Sequence, residues 1–161
     1  MSYGRFAAMI ATSTVVMFGL MYLNTYTLDH VFFSQTRMWM AFVMGGVMTI
    51  IMLGFMWSMS KNGPANIAIM ACAVAVFAGA LWLVRSQATV GDVSYMKAMI
   101  PHHSIAILTS SRARIRDPRV RVLADRIIGA QEREIDQMQA LIADLQRNPP
   151  ANTAPDLPRR P

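Results

Sequence analysis

Residues 38–59 read MWMAFVMGGVMTIIMLGFMWSM, twenty-two residues without a charge. A helix of about 20 predominantly apolar residues is what crosses a ~30 Å hydrocarbon core. Nothing in the run alternates with period two, and it is too long for a strand. Two neighbouring stretches share the pattern, one from Phe6 to about Leu28 and one from Asn66 to Val84. Between the second and third lies Lys61-Asn62-Gly63-Pro64, a polar turn signal. The sequence therefore predicts three transmembrane helices in an all-α chain.

Composition agrees with a chain of two kinds. Of its 161 residues 54% are apolar and 15% charged, and the mean hydropathy is +0.34. A soluble domain carries about 25% charged residues. Residues 1–84 hold four charges, Arg5, Asp29, Arg37 and Lys61, while residues 85–161 hold twelve Lys/Arg against eight Asp/Glu. The reading is a transmembrane domain over 1–85, a soluble helical hairpin over 86–147 and a disordered tail over 148–161, where five of fourteen residues are proline. The net charge of +6 does not point to nucleic acid, because the arginines interleave with acids at helical spacing and no nucleic-acid motif is present. Cys72, the one cysteine, has no disulfide partner in the chain and reads as a small buried hydrophobe.

The first span exceeds the ~7–15 apolar residues of a signal peptide and has no A-x-A-like site after it, so it reads as an uncleaved anchor. Basic residues do not orient the bundle: Arg5 and Lys61 fall on one side, Arg37 and Arg85 on the other. Ala41, Gly45 and Thr49 in the second span, and Ala71, Ala75 and Gly79 in the third, form rows of small residues that allow close helix approach in lipid. The i, i+4 row Met40, Met44, Met48, Met52 and Met56 reads as apolar filling rather than a metal ladder, since no His or acid accompanies it.

Beyond Arg85 the pattern becomes amphipathic. Asp92 and Ser94 are N-cap candidates for a helix reaching about Arg116. Asp117-Pro118 opens a second helix to about Arg147, with an apolar stripe of Ala124, Ile127, Ile128, Ile135, Met138, Leu141, Ile142 and Leu145. About 55 residues in two helices make a thin core, so the hairpin is expected to pair with a second copy, dock on the membrane part, or both.

Chemistry concentrates in Met96-Lys97-Ala98-Met99-Ile100-Pro101-His102-His103. Helical spacing puts Met96, Met99 and His103 on one face, with His102 about 100° away. Gln131 and Glu134 interrupt the facing stripe next to Met138, and buried polar groups need partners. Thioether plus imidazole favours copper, Cu(I) especially. A di-iron site is disfavoured, because no Glu precedes a His by three residues. Structural zinc would want a Cys/His set, and Ser104 lacks the rest of a nucleophilic triad, so no enzyme is expected.

This core, Met-Ile-Pro-His-His-Ser-Ile-Ala-Ile, together with Leu123-Ala124, Ile127-Ile128, Gln131, Glu134-Ile135 and Met138, resembles the bacterial domain of unknown function 305 family. The resemblance implies a ferritin-like helical domain, exported, with some members binding copper, and a membrane-anchored subgroup with three preceding spans. It implies His102, His103, Met96, Met99 and Met138 as candidate copper ligands. It also implies a cytoplasmic amino terminus and a periplasmic hairpin. After Ile107 the chain runs Leu108-Thr109-Ser110 into arginines, without the further methionine motifs that would signal high copper capacity.

The expected function is that of a bacterial inner-membrane protein whose periplasmic hairpin binds copper for buffering or handover, with Glu134 beside the His/Met set. The alternative is a non-catalytic interaction subunit, self-associating as a homo-oligomer or docking on a larger membrane complex, with a structural His pair. His30 ends the first span on the hairpin's side of the bilayer. It either anchors at the interface, with Asp29 paired to Arg37, or completes the metal site begun by His103 and Met99.

Overall fold

A computed structural model describes residues 2–57, 62–151, 154, 155 and 157. They form five α-helices: α1 (Tyr3–Leu20), α2 (Gln35–Phe55), α3 (Gly63–Ser86), α4 (Asp92–Arg112) and α5 (Pro118–Arg147). A 3-10 turn lies at Leu28–His30, and no strand occurs among the described residues. Met59, expected to close the second span, Lys61 of the turn, and half of the proline-rich tail lie outside the described residues.

Three of the helices, α1, α2 and α3, are long and apolar enough to cross a membrane. Their ends are set by local chemistry. Ser34 Oγ accepts the Arg37 N–H at 3.2 Å to start α2, and Asn62 Oδ1 accepts the Ala65 N–H at 3.1 Å to start α3. Gln87 stops α3 in the left-handed region, with φ 53°. The first helix stops at Leu20 rather than near Leu28. Residues 21–34 follow as a loop that opens on a turn over 21–24, in which the Gly19 carbonyl accepts the Tyr22 N–H and the Leu20 carbonyl the Leu23 N–H, both at 3.1 Å. Aromatic side chains collect at both ends of the bundle: Tyr3 and Trp57 at one, Tyr22, Tyr26, Trp39 and Trp82 at the other. That is where amphipathic rings concentrate at bilayer interfaces.

Packing turns on two adjacent glycines of α2. A Cβ on Gly45 would lie 2.6 Å from Thr14 Oγ1 of α1. A Cβ on Gly46 would lie 3.1 Å from the Ala73 carbonyl oxygen and 3.2 Å from the Phe77 nitrogen of α3. So α2 carries α1 and α3 on neighbouring faces. The small-residue row expected on α3 is corrected. Ala71, Ala75 and Gly79 are exposed, and a Cβ on Gly79 would meet nothing within 4 Å. The packed face runs through Asn66, Ala73 and Ala80, a seven-residue spacing, because Gly46 seats against Ala73 and Phe77. Cys72 is exposed rather than buried, one residue round the helix from that face.

The hairpin has its own core. Ile100, Ile107 and Ile135 are essentially sealed, Met96, Met138 and Ile142 lie beside them, and Phe32 of the α1–α2 loop packs on the cluster. Gly91, not Asp92 or Ser94, occupies the N-cap of α4, and α4 ends at Arg112 rather than about Arg116. Asp117 caps α5 by accepting the Arg119 N–H at 2.8 Å, with Pro118 in the first turn as expected. Ile135, expected to bury against a second copy, is closed within the chain's own hairpin, whereas Leu141 stays open.

Hairpin and bundle touch at Ser104, which is fully buried on α4. Its Oγ accepts the Tyr26 N–H at 2.7 Å and lies 2.9 Å from His30 Nδ1. Arg37 does not pair with Asp29. It donates to the Met21 carbonyl, and its guanidinium sits 4.5 Å from the Tyr22 ring centre.

Candidate functional site

Helical periodicity on two facing helices builds one pocket. Asp92, Tyr95, Met96 and His103 come from α4 at offsets 0, 3, 4 and 11. Glu134, Gln137 and Met138 come from α5 at offsets 0, 3 and 4, with Leu141 and Leu145 continuing the same face. Residues three and four apart share a helix face, so the two sets converge across the hairpin. The cavity measures about 540 Å³.

Its central pair is His103 and Glu134. Nδ1 of His103 lies 3.1 Å from Glu134 Oε2, the imidazole side chain 13% exposed and the carboxylate 51%. The two are close enough for ionic attraction but out of line for a hydrogen bond, and Nδ1 is buried without another partner. The Glu134 carboxylate stands half in water, free to turn an oxygen into line with Nδ1. Burial lowers the His103 pKa below the usual imidazole range; Glu134 pulls it partly back up, and His102 adds a smaller lowering. His103 is therefore neutral at neutral pH, the form in which a ring nitrogen offers a lone pair to a metal.

Four of the seven residues singled out in the sequence line the pocket together: Met96, His103, Glu134 and Met138. Met99 is packed against the hairpin core instead, partly buried. His102 is exposed, its ring centre 6.2 Å from that of His103 at an angle of 57°, as adjacent positions on a helix require. His30 reaches α4, but at Ser104, one residue round the helix from His103. Asp92, Tyr95 and Gln137 line the pocket without having been singled out. The available signal was the offset of four from Met96 back to Asp92 and of three from Glu134 on to Gln137; Tyr95 stands at neither offset from Met96, His103 or Glu134. Gln131, the other polar interruption of the α5 stripe, is not part of the lining.

The donor set is narrow. Among the described residues no three His, Cys, Asp or Glu side chains gather closely enough to hold an ion. What the pocket brings together is one imidazole, two thioethers and two carboxylates, Glu134 beside the imidazole and Asp92 at the start of α4. Residues 92–157 match DUF305, a domain of unknown function. The DUF305 match opens on the first residue of α4 and takes in the whole hairpin, so the pocket lies inside it and α1–α3 outside it. An uncharacterized protein of Acanthamoeba polyphaga mimivirus is 41% identical over 64 residues, covering 38% of this chain and 42% of that protein. The chain thus spans less than half the length of this relative. No solved structure matches the chain.

Proposed function

We propose that the hairpin over 92–147 binds copper as Cu(I), as cargo for buffering or handover, through His103, Met96 and Met138. The observation that carries this reading is the convergence of a neutral imidazole and two thioethers in one half-apolar pocket. Soft thioether donors select Cu(I), and imidazole suits copper as well. Harder or four-ligand ions such as structural zinc find no matching set here. Glu134 fits the place of an outer partner: a carboxylate at Nδ1 holds the proton there and leaves the other ring nitrogen for the ion. Competition titration with a Cu(I) chelator tests the assignment on the full chain in detergent. One ion per chain is expected, with His103→Ala weakening binding at least tenfold, worth about 1.4 kcal/mol. Unchanged affinity in His103→Ala overturns it.

We read the chain as an inner-membrane protein, amino terminus cytoplasmic and hairpin periplasmic. Supporting this are the three long apolar helices and the aromatic residues at both bundle ends. Tyr3 and Asn62 share one end, while the hairpin and the loop over 21–34 share the other. A reporter fused at Ser86 should be active only if periplasmic; an active cytoplasmic reporter there reverses the orientation.

One observation favours a second reading, an interaction subunit. Val120, Leu123 and Leu141 stand 44% exposed or more on α5. Pairing these faces between two copies would complete a ferritin-like four-helix bundle. Native mass measurement distinguishes a dimer from a monomer whose hairpin is held by the loop over 21–34, through Phe32 and the Ser104 contacts.

A further inference from the structure

Two helices standing on neighbouring faces of a third leave a gap between them. Here α1 and α3 meet at one end, where Tyr3 Oη donates to Asn66 Oδ1 at 2.9 Å and lies 3.1 Å from the Asn62 carbonyl. Beside that contact a cleft of about 670 Å³ runs along α1 and the stretch of α3 from Ile69 to Val76, floored by α2. Phe6, Ala11 and Thr14 form one wall, Cys72 and Val76 the other, and Gly45 lies in the floor.

The lining contains no charged side chain. Its two threonine hydroxyls are already committed, Thr14 to the Ile10 carbonyl and Thr49 to the Gly45 carbonyl, both at 2.8 Å. No group in it calls for water, and apolar cavities of this kind stay dry. The cleft lies within the three helices apolar enough to cross a membrane, between the two aromatic ends of the bundle. Its occupant is therefore hydrocarbon.

Size decides which hydrocarbon. A helix about 10 Å across and 18 residues long, matching α1, fills on the order of 2,000 Å³. That is about three times the cleft, so a helix of a second copy would have to stand mostly outside it. A chain one carbon wide fits along it. We propose that the α1–α3 cleft is a binding site for one acyl chain of a membrane phospholipid, which completes the packing that α1 and α3 do not make with each other.

Native mass spectrometry of the full chain, released from mild detergent, tests this. The wild type should retain one phospholipid per chain. Ala11→Phe, which fills the cleft from the α1 wall, should cut retention at least fivefold. Ala71→Phe, on the exposed outer face of α3, should leave it unchanged. A measurement on the unsubstituted sequence guards against a misfolded variant. In lipid nanodiscs a phospholipid with a photoreactive group on its chain, at a low mole fraction, should label the unmodified protein at Cys72 and Val76 in preference to Ala71 and Ala75, as for a bound rather than a passing chain. Equal lipid retention in wild type and Ala11→Phe overturns the proposal. So does near-complete Cys72–Cys72 cross-linking between chains, which would put a second copy in the cleft.

Discussion

Replacing Gly46 by alanine asks α3 to move away from α2. The added Cβ would stand 3.1 Å from the Ala73 carbonyl oxygen, 3.1 Å from Phe77 Cβ and 3.2 Å from the Phe77 nitrogen. Two of these are main-chain atoms and the third is a Cβ, so no rotamer change relieves the contact and the helices must separate by a few tenths of an ångström. Overpacking of this kind costs about 1–3 kcal/mol. Gly45→Ala differs in one respect. Its closest neighbour, at 2.6 Å, is the Thr14 hydroxyl, a side-chain atom that can turn, though a β-branched residue in a helix has few places to go. Its loss should be smaller and should be largely relieved by Thr14→Ala in the same chain. Gly79→Ala meets nothing within 4 Å and should be neutral. Thermal unfolding of the full chain in detergent gives the ranking: Gly46→Ala least stable, Gly45→Ala intermediate, Gly79→Ala like wild type. If Gly79→Ala is the damaging one, α3 packs through the Ala71, Ala75, Gly79 row after all.

Ser104→Ala strips the shared acceptor from Tyr26 N–H and the partner from His30, a loss of about 1–3 kcal/mol for buried groups left unpaired. Hydrogen exchange should speed up over 21–34 while Cu(I) affinity stays within twofold, because Ser104 does not line the pocket. Ile135→Ala should cost about 2–5 kcal/mol and Leu141→Ala under about 1, since the first is 2% exposed and the second 44%; equal losses would mean the hairpin core is misplaced. The metal-free protein should lose stability as pH falls through the ordinary histidine value of about 6.5, because the lowered His103 pKa lets the unfolded chain take up a proton first. His103→Gln should follow the wild type above that range and become relatively more stable below it, while Glu134→Gln, which removes the charge holding the His103 pKa up, should steepen the loss.

Much of this was legible in residue order. Runs of twenty-odd apolar residues have one structural meaning in a bilayer, and Asp117-Pro118 marks the start of α5 by capping chemistry that acts within two residues. The Met96–His103–Glu134–Met138 convergence follows from helical periodicity once two helices are known to face each other. What failed depends on distance in space. Nothing in the sequence says whether the face with Ala71, Ala75 and Gly79 or the one with Ala73 and Ala80 meets α2; the seating of Gly46 on Ala73 decides it. Likewise, Met99 shares a helix face with Met96 and His103 on a wheel, yet it packs against the hairpin core and is not in the lining. His30 does meet α4, but a one-residue step along that helix is 100° of rotation, which takes it to Ser104 and not to the pocket.

X-ray absorption of Cu(I)-loaded full chain carrying Cys72→Ala reads the ligand types directly, with the thiol removed as a source of sulfur. Two sulfur scatterers and one nitrogen are predicted, the sulfur signal falling by half in Met138→Leu. Copper surrounded by nitrogen and oxygen alone, or a sulfur signal indifferent to Met138→Leu, would contradict the pocket of Met96, His103 and Met138.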